Sequence, residues 1–165
     1  MKKLKLGMVG GGHGAFIGGV HRIAARMDDR WELVSGALSS NKERAKVSAD
    51  EIGLVRSYSS FEEMAKVESS LEDGIDAVSI VTPNNVHSAP VVAFLNAGIH
   101  VICDKPLAAT MEQANQISES VEKSEARFFL THNYTAYPLI RQAQKLVKEG
   151  ALGRIRVVQS EYVQD

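Results

Sequence analysis

Leu4-Lys5-Leu6-Gly7-Met8-Val9-Gly10-Gly11-Gly12-His13-Gly14-Ala15-Phe16-Ile17-Gly18-Gly19-Val20-His21 is the stretch whose reading decides the fold. A short apolar run enters a glycine cluster and leaves it as a helical pattern, the context in which a glycine-rich turn points to a bound dinucleotide. Gly10 and Gly12 take the first two positions of such a fingerprint: the first permits a tight turn, and the second brings backbone N–H groups close to a pyrophosphate at a helix N-terminus. Gly18 fits the third, helix-packing role, but five residues separate it from Gly12 in place of the usual two. His13, Gly14, Ala15, Phe16 and Ile17 therefore read as an enlarged phosphate loop. The competing reading is a strand-to-helix turn without a ligand.

Composition bounds what surrounds this turn. A chain of 165 residues is one domain's worth, with 44% hydrophobic residues, 24% charged residues and a formal net charge of -1. Nothing basic enough for nucleic acid or an anionic membrane is present, so small molecules or proteins are the expected partners. Cys103 is the single cysteine, which excludes an internal disulfide and fits a cytoplasmic location. The apolar run after Met1-Lys2-Lys3 is too short for a secretory signal, and no run reaches a membrane span.

Outward from the turn, residues 16–27 read as a helix with Ile17, Val20, Ala24 and Met27 on its inner face. Residues 31–38 read as the second strand. In a doubly wound sheet the end of that strand meets the adenosine ribose, where an acidic side chain would repel a 2′-phosphate. Ser39 stands there, followed by Ser40, Asn41, Lys42 and Arg44, which tilts the choice toward NADP over NAD. The same Ser/Asn cluster also fits a helix N-cap. A helix over 42–52 ends at Gly53, a short strand covers 55–58, and Ser60 caps a helix with Phe61, Met64, Ala65 and Val67 facing inward. Residues 68–74 read as a polar connection.

Residues 75–81 read as a central parallel strand that stops at Thr82-Pro83-Asn84-Asn85, a loop on the edge where open α/β sheets bind ligands. His87 follows, as a dinucleotide contact or as a ring packed against a nearby carbonyl. The next strand, 99–103, runs into Asp104-Lys105-Pro106-Leu107. Lys105 could donate to a substrate oxygen and stabilise developing charge there, or be an exposed turn lysine. Cys103 reads as core.

The glycine loop followed by His21, Thr82-Pro83-Asn84 followed by His87, and Asp104-Lys105-Pro106-Leu107 together resemble the Gfo/Idh/MocA family of nicotinamide-dependent sugar oxidoreductases. The family's usual Glu-Lys-Pro stands here as Asp104-Lys105-Pro106. The resemblance implies a Rossmann fold of the doubly wound, mostly parallel α/β class. It implies Lys105 as the catalytic group beside nicotinamide and substrate, with Thr82, Pro83, Asn84, His87, Asp104, Lys105 and Asn133 on the cofactor side. No metal is implied.

A helix over 110–123, a sixth strand over 127–131 and a helix over 139–149 complete the pattern. The loop from His132 to Pro138 carries Thr135 where the family often has arginine, which puts an arginine-dependent substrate contact in doubt. His132 is expected to line the site or orient the loop, since the resemblance places the proton-transferring histidine in a second domain. That domain is expected to be truncated: residues 1–150 form the dinucleotide domain, and 151–165 hold the first strand, 154–163, of an α+β domain whose sheet usually makes the oligomer interface. A homo-oligomer therefore stays open.

The resulting expectation is a dinucleotide-binding domain of an oxidoreductase moving hydride between NAD(P) and a sugar or polyol, with this length of chain binding dinucleotide without turnover. Two other readings are a non-catalytic dinucleotide module or sensor, and an S-adenosylmethionine methyltransferase. The second lacks its acidic ribose contact at Ser39 and leaves Lys105-Pro106 unexplained.

Overall fold

The computed structural model describes residues 2–163 and has two compact units that divide after Thr131. Met1, Gln164 and Asp165 lie outside the described residues. The first unit is a six-stranded parallel sheet in the order β3-β2-β1-β4-β5-β6, built from β1 (Leu4–Gly10), β2 (Trp31–Ala37), β3 (Arg56–Ser57), β4 (Ala77–Val81), β5 (His100–Cys103) and β6 (Phe128–Leu130). Between the strands run α1 (Phe16–Arg26), α2 (Lys42–Ile52), α3 (Phe61–Glu68), α4 (Ser88–Asn96) and α5 (Met111–Lys123). The expected doubly wound Rossmann topology is present. The strand order reverses between β1 and β4, the crevice where such sheets take their ligands.

Helix ends follow local chemistry. Asn41 Oδ1 accepts from the Arg44 N–H at 3.0 Å to open α2, and Gly53 closes it at φ 68°. Ser60 and Thr110 cap α3 and α5 by accepting from the N–H groups of Glu63 and Gln113.

Two apolar layers cover the sheet. Strand β4 alternates between them: Val78 and Ile80 join Met64 and Ala65 of α3, Val91, Phe94 and Leu95 of α4 and Ile117 of α5. Val81 joins Met8, Leu38 and Ala49, with Ile17 and Ile52 packed at the edge. The second layer is thinner, because α1 turns polar residues inward. Gly18 is its only buried residue; of the inner face expected from apolar spacing, Ile17 packs inward but Val20 (41% exposed), Ala24 and Met27 (82% exposed) look outward. Rotation of α1 is set by the close approach of Gly18 to the backbone of Gly11, and this outweighs apolar periodicity.

A second departure is Glu68. It closes α3, with its side chain buried, where a polar connection was expected. Arg56 donates to both carboxylate oxygens, from Nε at 2.8 Å and Nη2 at 2.9 Å, and the Tyr58 hydroxyl donates at 2.9 Å. Burial pushes the Glu68 carboxyl up, but these donors outweigh it and hold the group below its ordinary range. Burial, then the bond to Glu68, pushes the Tyr58 phenol up to about 12.

The second unit, from His132, contains a 3₁₀ turn (Asn133–Ala136) and α6 (Pro138–Lys148), with proline in the first turn and Gly150 at φ 72° just beyond. The expected strand over 154–163 is not formed: these residues make no ladder bonds among the described residues and are exposed. A strand exists only through a partner that takes up its N–H and C=O groups, and no described segment pairs with this one.

Removing the acceptor in Glu68→Ala leaves the Tyr58 hydroxyl without its partner and the Arg56 guanidinium with only its longer contact to Asp73, an expected loss of about 2–4 kcal/mol at neutral pH. Because the folded value of Glu68 is depressed, its contribution is present above the unfolded carboxylate range and disappears as pH falls through the folded value. Urea midpoints measured from pH 7 down to acid should therefore fall more steeply for the wild type than for the variant.

Candidate functional site

At the carboxyl end of β1 the chain must turn sharply, and the turn is built from glycine. Gly10, Gly11 and Gly14 have φ of 76°, 71° and 76°, a region costly for residues with a Cβ. A Cβ on Gly12 would stand 2.8 Å from Ser48 Oγ and 2.9 Å from the Leu38 carbonyl oxygen. Gly12 is thus required by the packing of its own loop, in addition to any role in admitting a pyrophosphate. Gly18 takes the expected helix-packing role, since a Cβ there would overlap the Gly11 carbonyl.

The loop is braced from two sides. Ser48 Oγ accepts from the His13 N–H at 2.9 Å, and Arg22 Nη1 donates to the Gly11 carbonyl at 2.8 Å. Burial, then the neighbouring Arg26, lowers the Arg22 guanidinium from its ordinary value. The His13 ring sits 3.0 Å from the Glu51 carboxylate, so it points to α2.

A groove of about 1240 Å³ runs along this edge, exceeding the ~300–1,000 Å³ of ordinary small-molecule sites. Gly10, Gly12, His13, Ala15, Ser39, Ser40, Thr82 and Pro83 all line it, so the three sequence-derived segments converge on one space. Arg44 lines it as well, together with the acidic Glu43 and Glu62. A smaller pocket of about 350 Å³ behind the loop is bordered by Gly14 and Phe16 with Arg22. Positive-φ glycines at a strand end, a helix N-terminus and a groove at the reversal of strand order fit a dinucleotide.

Several expected contacts point elsewhere. Ile17 packs against the second apolar layer. Asn41 spends its side-chain oxygen on the α2 cap, and Ser39 Oγ accepts from the Asn41 N–H at 3.1 Å while keeping its own proton to donate. Lys42 is exposed outside the groove lining, and Asn84 is outside it too, although Val86 of the same 3₁₀ turn (Asn84–Val86) lines the groove. His87 does not reach the groove. It is 1% exposed, with Nδ1 3.0 Å from the Pro106 carbonyl and Nε2 2.9 Å from the Thr82 carbonyl. A carbonyl oxygen only accepts, so a neutral ring, with its single N–H, donates to one of these two carbonyls at a time and the tautomer decides which. The Thr82 hydroxyl is buried without a partner.

Asp104 also faces inward: its Oδ1 accepts from Thr131 Oγ1 at 2.8 Å and lies 3.5 Å from His21 Nε2. Lys105 is exposed at the end of β5 outside the groove lining, and its peptide bond to Pro106 is cis. Burial, then Asp104, pushes the Cys103 thiol up to about 12, which fits a core cysteine that is fully buried. Asn133 and His132 lie in the second unit. Among the described residues no group of acidic, histidine or cysteine side chains could hold a metal ion, and no helix is long and apolar enough to cross a membrane.

Comparison with known proteins agrees with this geometry. The model of the Gfo/Idh/MocA oxidoreductase family, described as an NAD-binding Rossmann fold, matches residues 4–132. Levoglucosan dehydrogenase of Pseudarthrobacter phenanthrenivorans is 32% identical over all of this chain and 42% of its own length. A crystal structure of an oxidoreductase from Sinorhizobium meliloti is 54% identical with a TM-score of 0.90, covering 94% of this chain and 44% of that one. An inositol dehydrogenase homolog from Azotobacter vinelandii, solved with NADH and myo-inositol, is 36% identical with a TM-score of 0.86, covering 94% and 41%. The chain spans less than half the length of these relatives.

Two adjacent glycines in α1 provide a test of the loop packing. A Cβ on Gly18 meets the Gly11 backbone, whereas one on Gly19 meets only Arg22 Nη2 at 3.9 Å. Gly18→Ala is expected to destabilise by about 1–3 kcal/mol through overpacking, and Gly19→Ala to stabilise by up to about 1 kcal/mol through helix propensity. Melting temperatures of the two variants should move in opposite directions.

Proposed function

Since the chain belongs to the Gfo/Idh/MocA oxidoreductase family with its NAD-binding Rossmann fold, we propose that it is the cofactor half of a sugar or polyol dehydrogenase that prefers NADP. The observation that carries this reading is the convergence of the glycine turn, Ser39-Ser40 and Thr82-Pro83 on one groove at the switch point of the sheet. The nicotinamide cofactor would supply the hydride acceptor or donor. The backbone N–H groups of the loop and the N-terminus of α1 would hold the pyrophosphate.

Ser39, Ser40 and Arg44 support the NADP preference: the serines offer hydroxyls and the arginine a cation, with no acidic residue at position 39. Arg44 is free of any ion pair shown among the described residues. Glu43 at the same groove opposes that charge and bounds the size of the preference. Lys105, just past the end of β5, the strand that pairs with β4, would donate to the substrate oxygen and stabilise charge as it develops there. Levoglucosan in the name of one relative and the myo-inositol bound by another favour a sugar or polyol substrate class. A cytoplasmic location goes with this reading, supported by the single, buried cysteine.

Fluorescence titration of the protein with NADPH and NADH tests the reading. Saturable binding with the lower Kd for NADPH is expected, and an absence of binding by either would overturn the assignment. Ser39→Asp should weaken NADPH relative to NADH by roughly tenfold or more, from the ~1–4 kcal/mol between like charges about 4 Å apart near a protein surface. An unchanged ratio would remove Ser39 from the 2′-phosphate site.

A further inference from the structure

Lys105 makes no hydrogen bond or ion pair among the described residues, yet both of its neighbours in the chain are held. On one side, the Asp104 N–H donates to the Ile80 carbonyl at 2.9 Å, and the Asp104 carboxylate turns into the protein to accept from Thr131 Oγ1 at 2.8 Å. His21 Nε2 stands 3.5 Å from the same oxygen, and its Nδ1 is 2.8 Å from Ser79 Oγ, in the middle of β4. On the other side, the buried His87 ring contacts the Pro106 carbonyl through Nδ1 and the Thr82 carbonyl, just past β4, through Nε2.

Two histidines from different helical regions therefore flank one exposed lysine. Each also bonds to β4 or to the residue that follows it. The end of β4 and the loop after it, Val81 to Pro83, line the dinucleotide groove, so both sides of the lysine loop are referenced to the strand that carries that edge.

We propose that Thr131, His21 and His87 are positioning residues for Lys105, clamping Asp104 and Pro106 so that the lysine keeps a fixed place relative to the cofactor groove. This rests on the reading of Lys105 as the group that meets the substrate oxygen. A lysine acting on a reacting oxygen gains from a fixed origin, since displacement of about 1 Å can cost on the order of 10²-fold in rate. Its exposed side chain cannot supply that constraint from its own contacts. Supporting residues held by their own hydrogen bonds can supply it. Asp104 contributes through Thr131 and His21, because its Oδ1 is committed inward.

The test reads Lys105 directly and needs no turnover. The protein, free of cofactor, is labelled with a trace of acetic anhydride, and acetylation of Lys105 relative to the exposed Lys66 of α3 is measured by peptide mass spectrometry. Thr131→Val removes the hydroxyl while keeping the side chain's shape. It should change the Lys105/Lys66 ratio by roughly twofold to tenfold, the scale of one net hydrogen bond, and Thr131→Ser should restore it. His87→Gln should disturb the ratio from the Pro106 side. If that variant does not fold, the Thr131 pair decides alone. A merely structural role would lower the melting temperature and leave the ratio unchanged. An unchanged ratio in folded Thr131→Val, or a failure of Thr131→Ser to restore it, would overturn the clamp. Protection of wild-type Lys105 by NADPH is measured in parallel: its absence would count against the substrate-facing reading of Lys105 while the ratios in the cofactor-free variants still decide the clamp.

Discussion

The ligand edge depends on two backbones that touch. Gly18 in α1 approaches Gly11 so closely that a single methyl group would overlap the Gly11 carbonyl, and this contact fixes where the helix begins and how it is rotated. Rotation then determines what faces the sheet: Gly18, His21 and Arg22 instead of Val20 and Met27. The helix is consequently held by the glycine contact and by polar bonds, with little apolar burial on its side. Arg22 returns one of those bonds to the carbonyl of Gly11 itself, so the turn and the helix brace each other.

An uneven division of labour across the sheet follows. The layer formed with α3, α4 and α5 contains Phe94, Leu95, Met64 and Ile117, all nearly or wholly buried, and carries most of the apolar core. The layer on the α1 and α2 side is small and includes His21, Arg22 and Ser48, side chains that hydrogen-bond near the glycine turn. Burial of apolar area stabilises without regard to direction, whereas hydrogen bonds fix particular atoms. A fold with its larger core on one side can thus hold the other side with directional contacts. Strand β4 serves both demands by its two-residue period, Val78 and Ile80 packing toward the larger core and Ser79 bonding to His21.

The features legible in the sequence were those decided within a few residues. Asn41, Gly53 and Ser60 mark helix ends because a cap needs only a side chain and an N–H two or three positions on. The glycine turn was legible for the same reason. Glu68 was not: its partners Arg56 and Tyr58 meet it only after α3 has folded back, and a glutamate before Ser69-Ser70 reads locally as surface. The outward face of α1 was missed because apolar spacing measures what a helix could bury, while a backbone contact decided what it does bury. The strand expected over 154–163 illustrates the opposite limit. Alternation in one segment says nothing about whether a partner stands beside it, and no described residue does.

His87 shows why side-chain chemistry alone does not reveal direction. A histidine next to a ligand edge can face the ligand or the protein, and the choice follows from which acceptors the surrounding loops leave without donors. Proline has no N–H, so the loops at Thr82-Pro83 and Lys105-Pro106 each lack one backbone donor and have fewer ways to satisfy their carbonyls internally. The carbonyls of Thr82 and Pro106 both lie against the His87 ring at hydrogen-bond distance. A buried carbonyl without a donor is costly, and the one ring N–H, placed between the two loops, can be donated to either carbonyl according to the tautomer. The same prolines that mark these loops in the sequence thus help explain why the histidine between them turns inward and joins the cofactor edge to the lysine loop.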